Sequence, residues 1–173
     1  MRRRLLFVPL VTAFVPAARA ATYFTVEQVQ ATMFPGETMK PEFRTLDDGQ
    51  VSAIRSAAGV SPLSRQLKAW RASGGGWLIV DDVVGKHEYI TYAVALDRGG
   101  GVKMIEIMDY RESYGYEIRD AAWRAQFTGR KSGGSLELGR EIRNVAGATL
   151  SCKHVTDGVR RLLATYAIVL SRA

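Results

Sequence analysis

Tyr89-Ile90-Thr91-Tyr92-Ala93-Val94-Ala95-Leu96, Asp97-Arg98-Gly99-Gly100-Gly101 and Val102-Lys103-Met104-Ile105-Glu106-Ile107-Met108-Asp109-Tyr110 form the continuous stretch that decides the fold. Its first part alternates, with Ile90, Tyr92, Val94 and Leu96 on one side and Tyr89, Thr91, Ala93 and Ala95 on the other. A period of two is the pattern of a strand whose bulkier face meets a core. The glycine-rich turn then leads into a second apolar run, so the pair predicts an antiparallel hairpin. Gly99-Gly100-Gly101 lack the lysine and the following helix of a phosphate-cradling P-loop, which leaves them as a loop tip.

Upstream, Ser73-Gly74-Gly75-Gly76 breaks the chain before Trp77-Leu78-Ile79-Val80, whose bulky residues predict a strand near 77–82 that opens the sheet. Thr25 caps a helix over 26–34 with Val26, Val29, Met33 and Gln30 on one face and Pro35-Gly36 at its end. Residues 42–46 read as a short strand. Asp47-Asp48-Gly49 starts a helical stretch through Ala58, and a second helical stretch is expected around 63–70. Downstream, residues 120–129 predict a short helix, with Asp120 at its start, Trp123 and Phe127 at i and i+4, and Gly129 as its stop. Residues 131–135 read as a loop.

Ala148, Cys152, Val155, Val159, Leu162 and Tyr166 recur at spacings of four, three, four, three and four, one apolar stripe of a long final helix. On that stripe Cys152 reads as an inert core residue. The expected fold is α+β, a single domain in which a twisted, mainly antiparallel sheet built on strands near 77–82, 89–97 and 102–110 carries helices at 120–128 and 150–166. The chain divides into a leader at 1–20, an N-terminal part of the domain at 21–74 and its core at 75–173.

The leader is read from its layout: Arg2-Arg3-Arg4, an apolar run over residues 5–15, then Ala18-Arg19-Ala20. That is a cleavable signal peptide, with cleavage expected after Ala20 and a soluble, exported, periplasmic product. The apolar run falls short of the roughly 20 residues that cross a bilayer. Removing Arg2, Arg3, Arg4 and Arg19 lowers the formal charge from +7 to +3, so no nucleic-acid partner is expected. The single cysteine, Cys152, cannot close an internal disulfide.

Several chemistries are set aside. No serine sits in a Gly-x-Ser-x-Gly elbow, and two histidines with one cysteine make a poor metal set. His87 reads as a turn residue and His154 as a solvated helix residue. Gly147-Ala148-Thr149-Leu150-Ser151, at the mouth of the last helix, is different. Gly147 and Ala148 allow a ligand close to the backbone, free amide groups face it, Thr149 offers a hydroxyl, and Lys153 and Arg160 follow on the same side for a phosphate. A plain helix cap by Thr149 or Ser151 accounts for the same residues.

These residues resemble the Ser/Thr-Gly-Ala-Thr motif of the FMN-binding domain family, which includes flavin-carrying components of the sodium-translocating NADH:quinone reductase and of the Rnf electron-transport complex. Glu112-Ser113-Tyr114-Gly115-Tyr116 resembles the family's Glu-Thr-Pro-Gly turn, and Trp123-Arg124-Ala125-Gln126-Phe127-Thr128-Gly129 its Trp-x-x-Gln-Phe-x-Gly helix. The chain departs from the family pattern at Ala146, in place of Ser or Thr, at Arg143, in place of an aspartate, and at Tyr114, in place of proline.

The resemblance implies an FMN cofactor linked through its phosphate to Thr149, a modification made by a separate magnesium-dependent flavin transferase. It implies that Gly147, Ala148, Leu150 and Ser151 surround the phosphate, beside the Lys153 that spacing puts there, and that Glu112, Tyr114, Gly115 and Tyr116 flank the ring. The expected function is an exported flavoprotein that relays electrons between an unknown donor and acceptor, with a membrane redox complex as a candidate partner. A scaffold domain of this fold without a redox cofactor, and a flavin-dependent reductase of a small acceptor, are the alternatives.

Overall fold

The computed structural model describes residues 21–171, and the expected leader, residues 1–20, lies outside them. In chain order the elements are β1 (Ala21–Thr22), α1 (Val26–Met33), β2 (Met39–Pro41), β3 (Arg44–Thr45), α2 (Asp48–Ala58), β4 (Gln66–Ala72), β5 (Trp77–Val84), β6 (Tyr89–Leu96), β7 (Val102–Tyr110), α3 (Ala121–Arg124) and α4 (Thr149–Thr165). The sheet runs β1-β7-β6-β5-β4-β2, with β3 also on β4, and the pairs are antiparallel. This is the α+β architecture read from the hairpin. No described helix is long and apolar enough to cross a membrane.

The alternation of β6 sorts its residues between two cores. Ile90, Tyr92, Val94 and Leu96 enter the larger core beneath α2 and α4, while Ala93 and Ala95 lie with Val29, Met33 and Phe34 of the α1 side in the smaller one. Capping boxes start both N-terminal helices, from Thr25 to Gln28 and from Asp47 to Gln50. The stripe is buried from Ala148 to Leu162, with no exposed surface at Cys152, Val155 and Val159, and only Tyr166, just past α4, is half-buried. Burying an aliphatic side chain that far contributes roughly 1.5–3 kcal/mol. Burial also pushes the Cys152 thiol pKa up, away from the reactive thiolate, in line with a structural role.

Four local expectations need correction. The stretch at 63–70 is not a helix but holds most of β4, and the sheet therefore does not open at Trp77. Gln66, Leu67, Lys68 and Ala69 favour helix as isolated residues. Pairing with β5 on one side and with β2 and β3 on the other decides otherwise, burying Leu67 and Ala69 against the Ile54 side of the core. Of the strand expected at 42–46 only Arg44–Thr45 forms. The expected 120–129 helix is one α turn followed by a 3-10 turn over Ala125–Phe127, and Asp120 makes no side-chain cap. His154 is half-buried with its Nδ1 bonded to the Val84 carbonyl, not solvated.

One irregularity in the hairpin aims the site. Thr91 pairs with Asp109 but Tyr92 pairs with Ile107, so Met108 is an extra residue in β7. A bulge of this kind turns the following residues over. Tyr110 consequently joins Ile105 and Ile107 on the α4 side, under the first turn of that helix.

Candidate functional site

Tyr110 ties together two segments that are far apart in sequence. Its hydroxyl donates to the Tyr114 carbonyl, and Ser151 Oγ, 3.2 Å away, donates to the phenol oxygen, whose own proton is committed. Burial pushes this phenol's pKa up, which keeps the proton in place. The turn after Glu112 lies so close to α4 that Gly115, at φ +88°, leaves no room for a side chain: a Cβ there would sit 2.6 Å from Ala148 Cβ. Glycine at 115 and a small residue at 148 are thus two halves of one contact.

Glu112 is buried, and its carboxylate is turned inward to a third segment. Oε1 accepts from the backbone N–H of His87 at 2.6 Å and of Glu88 at 3.1 Å, which fixes the turn at 85–88. Burial alone would raise this carboxyl's pKa, but the amides of His87, Glu88 and Lys86 outweigh it and hold the pKa below the ordinary carboxylate value. A depressed folded-state pKa stabilises above the unfolded value of about 4.3 and loses that contribution as pH falls through the folded one. Glu112→Gln should therefore speed hydrogen exchange of the His87 and Glu88 amides at neutral pH, with the difference from wild type closing in acid. Equal exchange at pH 7 would contradict the clamp.

A fourth segment is held by the short helix. Arg124 pins α3 to β7 through Glu106 at 2.6 Å and the Ile105 carbonyl at 2.9 Å. From there Trp123 Nε1 donates to the Arg143 carbonyl and Gln126 Oε1 accepts from the Arg143 N–H, both at 2.8 Å. The Trp-x-x-Gln spacing thus grips the backbone on both sides of one residue, Arg143, in the loop that leads to α4. Gly147, at φ +81°, then reverses the chain into the helix. Ala148 occupies the cap position with no side-chain cap, so neither Thr149 nor Ser151 caps α4. Thr149 is an exposed residue, and its hydroxyl accepts from Asn144 Nδ2 at 3.0 Å.

Between these segments lies an open cavity of about 380 Å³, walled by Lys86 and His87, by residues 112–114 and by residues 147–151. That volume is in the range of small-molecule sites, roughly 300–1,000 Å³. Residues 85–164 match the FMN-binding domain family. This part of the chain is an FMN-binding domain. Every residue lining the cavity falls inside the matched span, whereas β1 to β5 lie outside it yet complete the same sheet. No curated protein matches the chain.

Of the residues read as surrounding a flavin, Thr149, Gly147, Ala148, Leu150, Ser151, Glu112 and Tyr114 line the cavity of the FMN-binding domain. Three do not. Gly115 is buried beneath Ala148, Tyr116 rests edge-on against Tyr110, and Lys153 is paired with Asp157 one turn along its own helix. Arg160 is likewise engaged, with Asp157 and with the carbonyls of Ala58 and Leu136. Sequence reading missed Lys86 as the cation on the cavity, and missed His87 beside it. The only local signal was a polar turn, because the residue that brings them there, Glu112, is 25 positions away from His87.

The donor set fits FMN. An uncapped helix N-terminus and Lys86 suit a phosphate. Tyr114, 80 % exposed, and Leu150, 44 % exposed, offer aromatic and apolar surface to a planar ring.

Proposed function

We propose that this cavity holds FMN, that the phosphate is esterified to Thr149, and that the chain is an exported flavoprotein relaying electrons outside the cytoplasmic membrane. The observation that carries the reading is Thr149, an exposed residue of the cavity wall at the uncapped start of α4, within the FMN-binding domain. FMN supplies a carrier that accepts two electrons and can release them singly. The protein's part is to bind, orient and shield. The amides at the start of α4 and the Lys86 ammonium would hold the phosphate, and Tyr114 and Leu150 would cover the ring.

An ester bond keeps the cofactor with the protein after export, where a dissociated flavin would be lost by dilution. A flavin transferase is the maturation partner, and a membrane redox complex is the proposed electron partner. The leader at 1–20 supports export by its sequence layout. Cleavage after Ala20 would leave β1, which begins at Ala21, intact.

Titrating FMN and riboflavin into protein made without the transferase, with flavin fluorescence as the readout, tests the cavity. Wild type should quench FMN. Lys86→Ala should weaken FMN about tenfold, the value of one charge-assisted contact, and leave riboflavin, which lacks the phosphate, unchanged. Wild type that binds neither flavin would contradict the assignment.

A further inference from the structure

We propose that Asn144 is the positioning residue for flavin attachment: its side-chain amide holds the Thr149 hydroxyl in the one rotamer that presents it to the cavity. The inference rests on the proposed ester at Thr149 and adds the residue that prepares it. Asn144 Nδ2 donates to Thr149 Oγ1 at 3.0 Å. The bond occupies one lone pair of the hydroxyl and leaves its proton and second lone pair for the cavity side.

Asn144 is itself held from behind. The peptide next to it is gripped at Arg143 by Trp123 and Gln126, and Gln126 is oriented in turn by its own Nε2 bond to the Trp123 carbonyl at 3.0 Å. The Ala148 N–H donates to the Val145 carbonyl at 3.0 Å, closing the loop, and the positive φ of Gly147 folds the chain back so that Asn144 faces Thr149. A run of fixed contacts therefore leads from β7 through α3 to one hydroxyl. Both Asn144 and Thr149 are exposed, so their bond serves no core packing. An exposed hydrogen bond of this kind contributes little to stability, whereas the placement of a reacting atom bears directly on rate.

In the attachment step Thr149 Oγ1 bonds to the phosphorus of the FMN half of FAD, and the bond from that phosphorus to the bridging oxygen breaks. AMP leaves with the electron pair, and the hydroxyl proton passes to a base of the transferase or to water. No oxidation or reduction occurs. A threonine free to rotate would spend much of its time with Oγ1 turned away from the incoming phosphorus.

The test compares wild type, Asn144→Leu and Asn144→Gln with purified transferase and FAD. Intact-mass time courses should show esterification of Asn144→Leu slowed about a hundredfold, the scale of a misplaced reacting group. Asn144→Gln, which keeps the amide, should recover part of the rate. In unmodified protein, three-bond couplings should report one Thr149 χ1 rotamer in wild type and averaging in Asn144→Leu, with thermal midpoint and affinity for free FMN unchanged. A wild-type rate in Asn144→Leu overturns the positioning role and leaves attachment at Thr149 standing. A single rotamer in both proteins also overturns it, because Asn144 would then be read by the transferase. Wild type that never gains the mass overturns both readings.

Discussion

Thr149→Val is expected to give a folded protein that carries no covalent flavin, while Thr149→Ser keeps the modification. The hydroxyl is the only group at that position able to form the ester, and valine has nearly the same shape as threonine. Because α4 has no side-chain cap, valine removes no cap. What it removes is the bond from Asn144, at most about 1.5 kcal/mol against the roughly 5–15 kcal/mol that holds a typical domain. Ser151 is the neighbouring hydroxyl, but it is 4 % exposed and bonded to Tyr110, so it should not take over. Intact mass and a thermal melt on each variant check this. A modified, folded valine variant would move the acceptor elsewhere.

Arg161→Ala should have the largest effect on stability. Arg161 is 4 % exposed; one terminal nitrogen meets the Asp81 carboxylate and, at 3.0 Å, the Asp82 carbonyl, and the other reaches the Ser61 carbonyl at 3.4 Å. It is the cation that lets Asp81 sit beside the buried Tyr92 hydroxyl, 3.4 Å away. Removing one partner of a buried pair typically costs about 3–5 kcal/mol, and the lower end applies because the Asp81 side chain keeps 21 % of its surface exposed. Urea unfolding should show a loss of about 3 kcal/mol. Asp81→Ala in the Arg161→Ala background should be milder than Asp81→Ala alone, since the carboxylate would already lack its cation. Strict additivity would show that the pair is not coupled.

The hairpin was legible because its information is local. A period of two over β6 names the two faces, and the structure sends Ile90, Tyr92, Val94 and Leu96 one way and Ala93 and Ala95 the other. The stripe of α4 was legible for the same reason. β4 was not, because Gln66, Leu67, Lys68 and Ala69 suit a helix alone and become a strand only between partners that the sequence does not name.

The same division runs through the site. The 147–151 motif could be found by its residues, but the loops around it are set by distant contacts: Glu112 with the 85–88 turn, and Trp123 and Gln126 with Arg143. Lys153 shows how a local argument misleads. Its i+4 relation to Thr149 suggested a phosphate partner, yet Asp157, a further four residues on, takes the ammonium at 2.5 Å. That competitor stands in the sequence itself, one helical turn past Lys153.

If the cavity of this FMN-binding domain presents Thr149 to the flavin phosphate, a single tryptic peptide carries the cofactor. Trypsin cuts after Arg143 and Lys153, releasing residues 144–153, with Thr149 and Ser151 as their two hydroxyl residues. From wild type co-produced with a flavin transferase, that peptide should be fluorescent, heavier by one FMN less one water, and modified at Thr149 on fragmentation. An unmodified peptide 144–153 from fully matured protein, or FMN mapped to any other residue, would contradict it.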